Sequence, residues 1–144
     1  MCWSRSWRRA AVIDERRVPI DRDVDIVTAR QLGRELAAEA GFTGSDLTLI
    51  ATAISEVARN IVVYAERGEI RLGRTDRNGR EGIEVVAADE GPGIPDIQQA
   101  MQDGFSTGRS LGLGLPGARR LMDEFEIVSE VGKGTVVTMR KWRP

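Results

Sequence analysis

The 144-residue sequence has no histidine, a single cysteine and only two lysines, Lys133 and Lys141. Without histidine, imidazole acid–base catalysis, imidazole metal ligation and a histidine phosphoacceptor are excluded together. A structural zinc site and a Ser-His-Asp hydrolase go with them. The lone Cys2 cannot form an internal disulfide, which fits a reducing compartment. No uninterrupted apolar run approaches the roughly 20 residues that cross a bilayer. The basic residues 1–10 lead into no apolar segment, because Asp14, Glu15, Arg16 and Arg17 interrupt it, so they do not read as a signal peptide. A cytoplasmic location is expected. The formal net charge of -1 supplies no general attraction to nucleic acid, and neither a nucleic-acid nor a membrane partner is expected.

What is present describes an ordinary soluble domain. Hydrophobic residues make up 41% and charged residues 30%, and the length suits one core rather than two. Residues 1–17 read as an irregular, flexible arm with Trp3 and Trp7 as its bulky apolar residues, and residues 18–144 as the folded domain. Val18, Pro19 and Ile20 open an edge strand, where proline is tolerated. From Asp23, the spacing of Ile26, Ala29, Leu32, Leu36 and Ala40 predicts a helix that stops at Gly41. Ser45 or Asp46 caps a second helix with an apolar stripe of Leu47, Ile50, Ile54, Val57 and Ile61. Strands are predicted over 69–75 and 82–89 around an Asn-Gly turn. A short helix over 96–103, a loop over 104–110, a helix over 114–124 and strands over 126–130 and 135–142 complete the chain. The expected fold class is α+β, an α/β sandwich with helices on one face of a mixed, mostly antiparallel sheet.

Several residues on this layout carry possible chemistry. Gly112, Gly114 and Gly117 satisfy the G-x-G-x-x-G spacing of dinucleotide-binding proteins, but no strand precedes them, so that cofactor is not indicated. Glycines leading into a helix still suit a phosphate, through free N–H groups and the helix dipole, though they equally suit a tightly packed helix start. The run Gly132, Lys133, Gly134 and Thr135 precedes a strand and lacks the first glycine of a P-loop. Glu56 and Asn60 lie four apart on one helix face, beside the apolar stripe. A hard amide oxygen and a carboxylate there suit a divalent cation and the deprotonation of a nucleophile, or a solvated pair near the helix end. Asp89 ends a strand at Gly91, Pro92 and Gly93, where it can accept a hydrogen bond from an adenine amino group or simply stabilise a turn.

The order of these motifs is more specific than any one of them. Glu56 and Asn60, then Asp89, Gly91 and Gly93, then Gly112 and Gly114, then Gly132, Gly134 and Thr135 resemble the series of the GHKL ATPase/kinase superfamily. The resemblance spans about residues 20–142. The stretches 29–34, 52–61, 89–97, 103–107, 112–117 and 121–125 are most similar to the anti-sigma-type serine/threonine kinases, in particular the RsbT-type switch kinases of the stressosome. The resemblance implies a Bergerat-type ATP-binding fold with ATP and Mg²⁺ as cofactors. It implies Asn60 on Mg²⁺, Asp89 on adenine, Gly91 and Gly93 shaping the base pocket, and Gly112, Gly114 and Gly117 around the phosphates. Thr135 would support adenine, and Glu56 would act as general base toward a serine or threonine hydroxyl. Arg59 and Arg109 are candidate phosphate or acceptor contacts, and Ser106, Thr107 and Gly108 a short lid.

The partners implied are an STAS-domain antagonist (RsbS/RsbR-like), which would be phosphorylated, and a downstream output protein such as a PP2C-type phosphatase. The alternatives are an anti-sigma kinase that binds a sigma factor and a nucleotide-binding interaction module without catalysis.

Overall fold

The computed structural model describes residues 12–102 and 114–144. Its elements run β1 (Val12–Ile20), α1 (Asp23–Glu39), α2 (Ser45–Tyr64), β2 (Gly68–Arg77), β3 (Arg80–Asp89), α3 (Ile97–Ala100), α4 (Gly114–Leu121), β4 (Glu124–Glu130) and β5 (Gly134–Trp142). The strands form one sheet in the order β1-β2-β3-β5-β4, and all four pairings among the described residues are antiparallel. Among the described residues the sheet is therefore purely antiparallel, where the sequence predicts a mixed, mostly antiparallel one.

Each element follows from a local pattern. In β1, Val18 and Ile20 point into the core, while Pro19 sits on an edge strand where its missing N–H interrupts no second ladder. The strand reaches back to Val12, so residues 12–17, assigned to the arm by sequence, are paired or bulged against β2 instead. Their run of charged residues and the bulge between Ile13 and Arg16 hid the strand. Residues 1–11 lie outside the described residues. The α1 N-terminus is fixed by the Asp25 carboxylate, which accepts the backbone N–H groups of Asp21 and Arg22 at 2.9 Å each. The β2–β3 hairpin closes through Asn78 and Gly79, both at positive φ (56° and 81°), as a two-residue turn between right-twisted strands requires.

The helices cover one face of the sheet. Ile26, Ala29 and Leu36 of α1 and Ile50, Ile54, Val57 and Ile61 of α2 pack on Ile70, Leu72, Ile83, Val85, Ala87, Val137 and Met139. Each fully buried aliphatic side chain contributes about 1.5–3 kcal/mol. Among the described helices, only α2 is long and apolar enough to cross a membrane, with a mean hydropathy of 1.3, and half of that window is buried inside the protein. Core helices satisfy the same criterion. Within the described part of the predicted helix over 96–103 there is one turn, α3, whose start is capped by Asp96 accepting the Gln99 N–H at 3.0 Å.

Candidate functional site

One end of the sheet carries a row of four small or polar residues where the strand pattern elsewhere is apolar. The register sets Gly68 opposite Asp89, Asp89 opposite Thr135, and Thr135 opposite Ser129, so the row crosses β2, β3, β5 and β4. Strand alternation puts Asp89 in phase with Ile83, Val85 and Ala87, Thr135 in phase with Val137 and Met139, and Ser129 in phase with Ile127. All three polar side chains thus share the helix-covered side. Asp89 is half-buried, and its Oδ1 accepts the Gly91 N–H at 2.9 Å, which starts the turn out of β3.

Two glycines make the crowding at this end possible. Gly93 has φ +81°, and a Cβ there would overlap the Glu130 carbonyl. Gly134 has φ +128°, and a Cβ there would overlap the carbonyl oxygen of Asp89. Both conformations disfavour side chains and both contacts are with backbone, so neither neighbour can yield cheaply. The β4–β5 turn is tied to the same loop by the Gly132 N–H, which donates to the Pro92 carbonyl at 2.8 Å.

Helix α2 links this floor to a second cluster. A Cβ on Gly91 would come within 2.6 Å of the Ala65 Cβ at the end of α2. About 13 Å back along the helix axis lies Glu56, and Asn60 lies between the two. Glu56 is only 7% exposed. Its Oε1 accepts the Gly114 N–H at 3.0 Å, and the Arg59 guanidinium stands 3.5 Å from Oε2. Gly114, at φ +56°, opens α4, whose free N–H groups form the positive end of a helix dipole. Leu115 to Ala118 are buried as α4 packs on α2, so Gly117 lies in the body of the helix. Pro116 near the helix start costs no internal hydrogen bond.

The structure therefore brings Glu56, Asn60 and Gly114 onto one stretch of α2 and α4, and Asp89, Gly91, Gly93 and Thr135 onto the sheet end beside it. Gly112, Ser106, Thr107, Gly108 and Arg109 lie outside the described residues. Ser129 was missed by sequence reading. Its signal was a hydroxyl in the inward phase of a strand, after Phe125 and Ile127. Among the described residues no three Cys, Asp or Glu side chains converge as a metal cage. Mg²⁺ needs none: it commonly takes one or two protein oxygens and keeps its waters and substrate phosphates. The single hard amide oxygen of Asn60 fits that use.

Carboxylate and hydroxyl groups at one end of α2 and a helix N-terminus farther along it suit a nucleotide. Comparison with known proteins agrees, since residues 20–141 match the histidine kinase-like ATPase domain. The chain belongs to that family. It is 51% identical over 129 residues to the serine/threonine-protein kinase RsbT of Bacillus subtilis (strain 168), covering 90% of this chain and 97% of the relative. It is 35% identical over 120 residues to the anti-sigma F factor of Caldanaerobacter subterraneus subsp. tengcongensis, covering 79% and 82%. The anti-sigma F factor of Geobacillus stearothermophilus is 35% identical over 111 residues, covering 69% and 71%. As a histidine kinase-like ATPase the chain binds ATP. Its identity along nearly the whole of a protein kinase makes it a protein kinase of the serine/threonine type. The family name describes the nucleotide domain, which explains how a chain without histidine belongs to it.

Proposed function

We propose that the chain is a cytoplasmic partner-switching kinase that phosphorylates a serine or threonine of an STAS-domain antagonist and, once released, binds an output protein such as a PP2C-type phosphatase. The observation that carries the catalytic part is Glu56. This carboxylate, 7% exposed, lies on the α2 face that meets the start of α4, within reach of a phosphoryl group held at that helix N-terminus.

In this reading Asp89 accepts the adenine amino group, and Thr135 supports the same edge of the base. Gly91 and Gly93 let the base lie close to the backbone. The triphosphate runs along α2 toward Gly114, whose N–H and helix dipole receive its terminal oxygens. The family resemblance would add Gly112 at the phosphates, while Gly117, buried in the body of α4, packs that helix on α2. Mg²⁺, when bound through Asn60, supplies charge neutralisation at the phosphates. Glu56 then turns from Gly114 to the acceptor hydroxyl and takes its proton as the oxygen attacks the γ-phosphorus; ADP leaves in line. The product phosphate adds nearly two negative charges to the antagonist at its interface with the kinase, which separates the two and frees the kinase for its next partner.

The test is incubation with γ-labelled ATP and a purified STAS-domain antagonist. Label on serine or threonine of the antagonist, followed by its dissociation, is the expected result. A second reading, an anti-sigma kinase whose client is a sigma factor, draws on the 35% identity to anti-sigma F factors. Capture of a sigma factor in place of release to an output protein would favour it. Tight ATP binding with no labelled product from any antagonist would leave a nucleotide-binding module.

A further inference from the structure

Ser129 ties together the groups around the base end of the cleft. Its Oγ accepts the Ile94 N–H at 2.7 Å, just beyond the Gly91–Gly93 loop. It stands 3.2 Å from the carbonyl oxygen of Gly134 and 2.7 Å from the Thr135 hydroxyl, in either donor sense. A serine hydroxyl has one hydrogen to give and two lone pairs. Two protonation patterns are open to it. If Ser129 donates to Gly134, Thr135 must donate to Ser129, and every hydroxyl and the Ile94 N–H is satisfied. If Ser129 donates to Thr135 instead, the Gly134 contact is lost and the Thr135 proton needs another partner. With Thr135 only 5% exposed, the first pattern is favoured, since an unpaired buried donor costs about 1–3 kcal/mol.

From this we infer that Ser129 is a specificity-determining residue, which holds Thr135 as an acceptor and so selects adenine over guanine. The inference rests on the ATP-site reading of Asp89 and Thr135. With its proton directed at Ser129, Thr135 offers the cleft lone pairs only. Asp89, its neighbour across the β3–β5 pair, is likewise acceptor-only when ionised. Adenine presents an amino group with two donors to such a pair. Guanine presents a carbonyl oxygen in the same place, which two acceptors repel. Freed from Ser129, the Thr135 hydroxyl can rotate and donate, and the penalty on guanine falls. Ser129 acts through Thr135 rather than by touching the base, so it is a positioning residue.

The test is calorimetric titration of ATP and of GTP into wild type, Ser129→Ala, Ser129→Cys and Ser129→Thr. The ratio of the two affinities separates specificity from stability, because loosening the Ile94 loop weakens both nucleotides alike. The wild type is expected to prefer ATP. Ser129→Ala should reduce that preference by about tenfold, Ser129→Cys should follow it because a thiol is a weak hydrogen-bonding group, and Ser129→Thr should keep it. If Ser129→Ala does not fold, Ser129→Cys gives the same reading. An unchanged ATP:GTP ratio in the alanine or cysteine variant, with ATP binding intact in the wild type, overturns the role of Ser129 alone. A wild type that binds neither nucleotide, or both equally, overturns the base-site reading and this inference with it.

Discussion

At the scale of single residues, the site depends on backbone positions that admit no side chain. The carbonyl oxygen of Asp89 lies where a Gly134 Cβ would be, so Gly134→Ala must push apart the strand ends that carry Asp89 and Thr135. The positive φ adds strain, of the order of 1–3 kcal/mol in such cases. We expect Gly134→Ala to lose at least tenfold in ATP affinity by calorimetry while keeping a cooperative thermal transition; wild-type affinity would contradict the geometry. The motif residues were readable in the sequence because their types are unusual for their places: Glu56 and Asn60 beside an apolar stripe, Asp89 at a strand end before two glycines. Ser129 was not read, because one serine in a strand is common until the register places it against Thr135. Nor could spacing alone show that Glu56 meets Gly114, a contact across 58 residues of sequence.

At the scale of elements, the side of the sheet away from the helices holds a charged network. Arg140 on β5 donates to Glu84 on β3 at 2.8 Å, both side chains under 5% exposed, and also reaches Glu124 on β4 at 3.2 Å. Glu124 further accepts from Arg77 at 2.6 Å and from the Trp142 indole at 3.0 Å. The Arg77 guanidinium stacks 4.6 Å from the centre of that ring. Breaking a buried pair costs more than the pair contributes, because the remaining charge stays desolvated. Arg140→Leu is expected to lower stability by about 3–5 kcal/mol in urea denaturation, and adding Glu84→Leu to restore part of it. A loss under about 1 kcal/mol would mean the pair is well hydrated. The helices and the hairpin were legible from periodicity and the Asn-Gly turn, but β1 was legible only from Val18 onward. Its first half is charged and bulged, with Asp14 at φ 56°, so neither alternation nor composition marked it.

At the scale of the whole molecule, two carboxylates make the fold sensitive to acid. Burial works to raise the Glu124 carboxyl, but hydrogen bonds from Arg77, Trp142 and Arg140 outweigh it and hold the group below its ordinary 4.5. Backbone N–H groups of Arg22 and Asp21 hold Asp25 below its ordinary 3.8. A group depressed in the folded state contributes its stability in full above its unfolded value and loses it as pH falls through the folded one. The urea midpoint should therefore decline below about pH 4.5, and Glu124→Gln should flatten that decline; an identical pH slope in both would contradict the assignment. In the proposed reading, ATP binding is distributed over both ends of the site, whereas phosphoryl transfer depends on Glu56. The most direct test measures both properties on Glu56→Gln: ATP affinity by calorimetry, and label transfer from γ-labelled ATP to an STAS-domain antagonist. The account predicts that affinity stays near wild type while transfer falls by about 100-fold or more. Transfer at the wild-type rate would remove Glu56 as the base and, with it, the catalytic reading of the site.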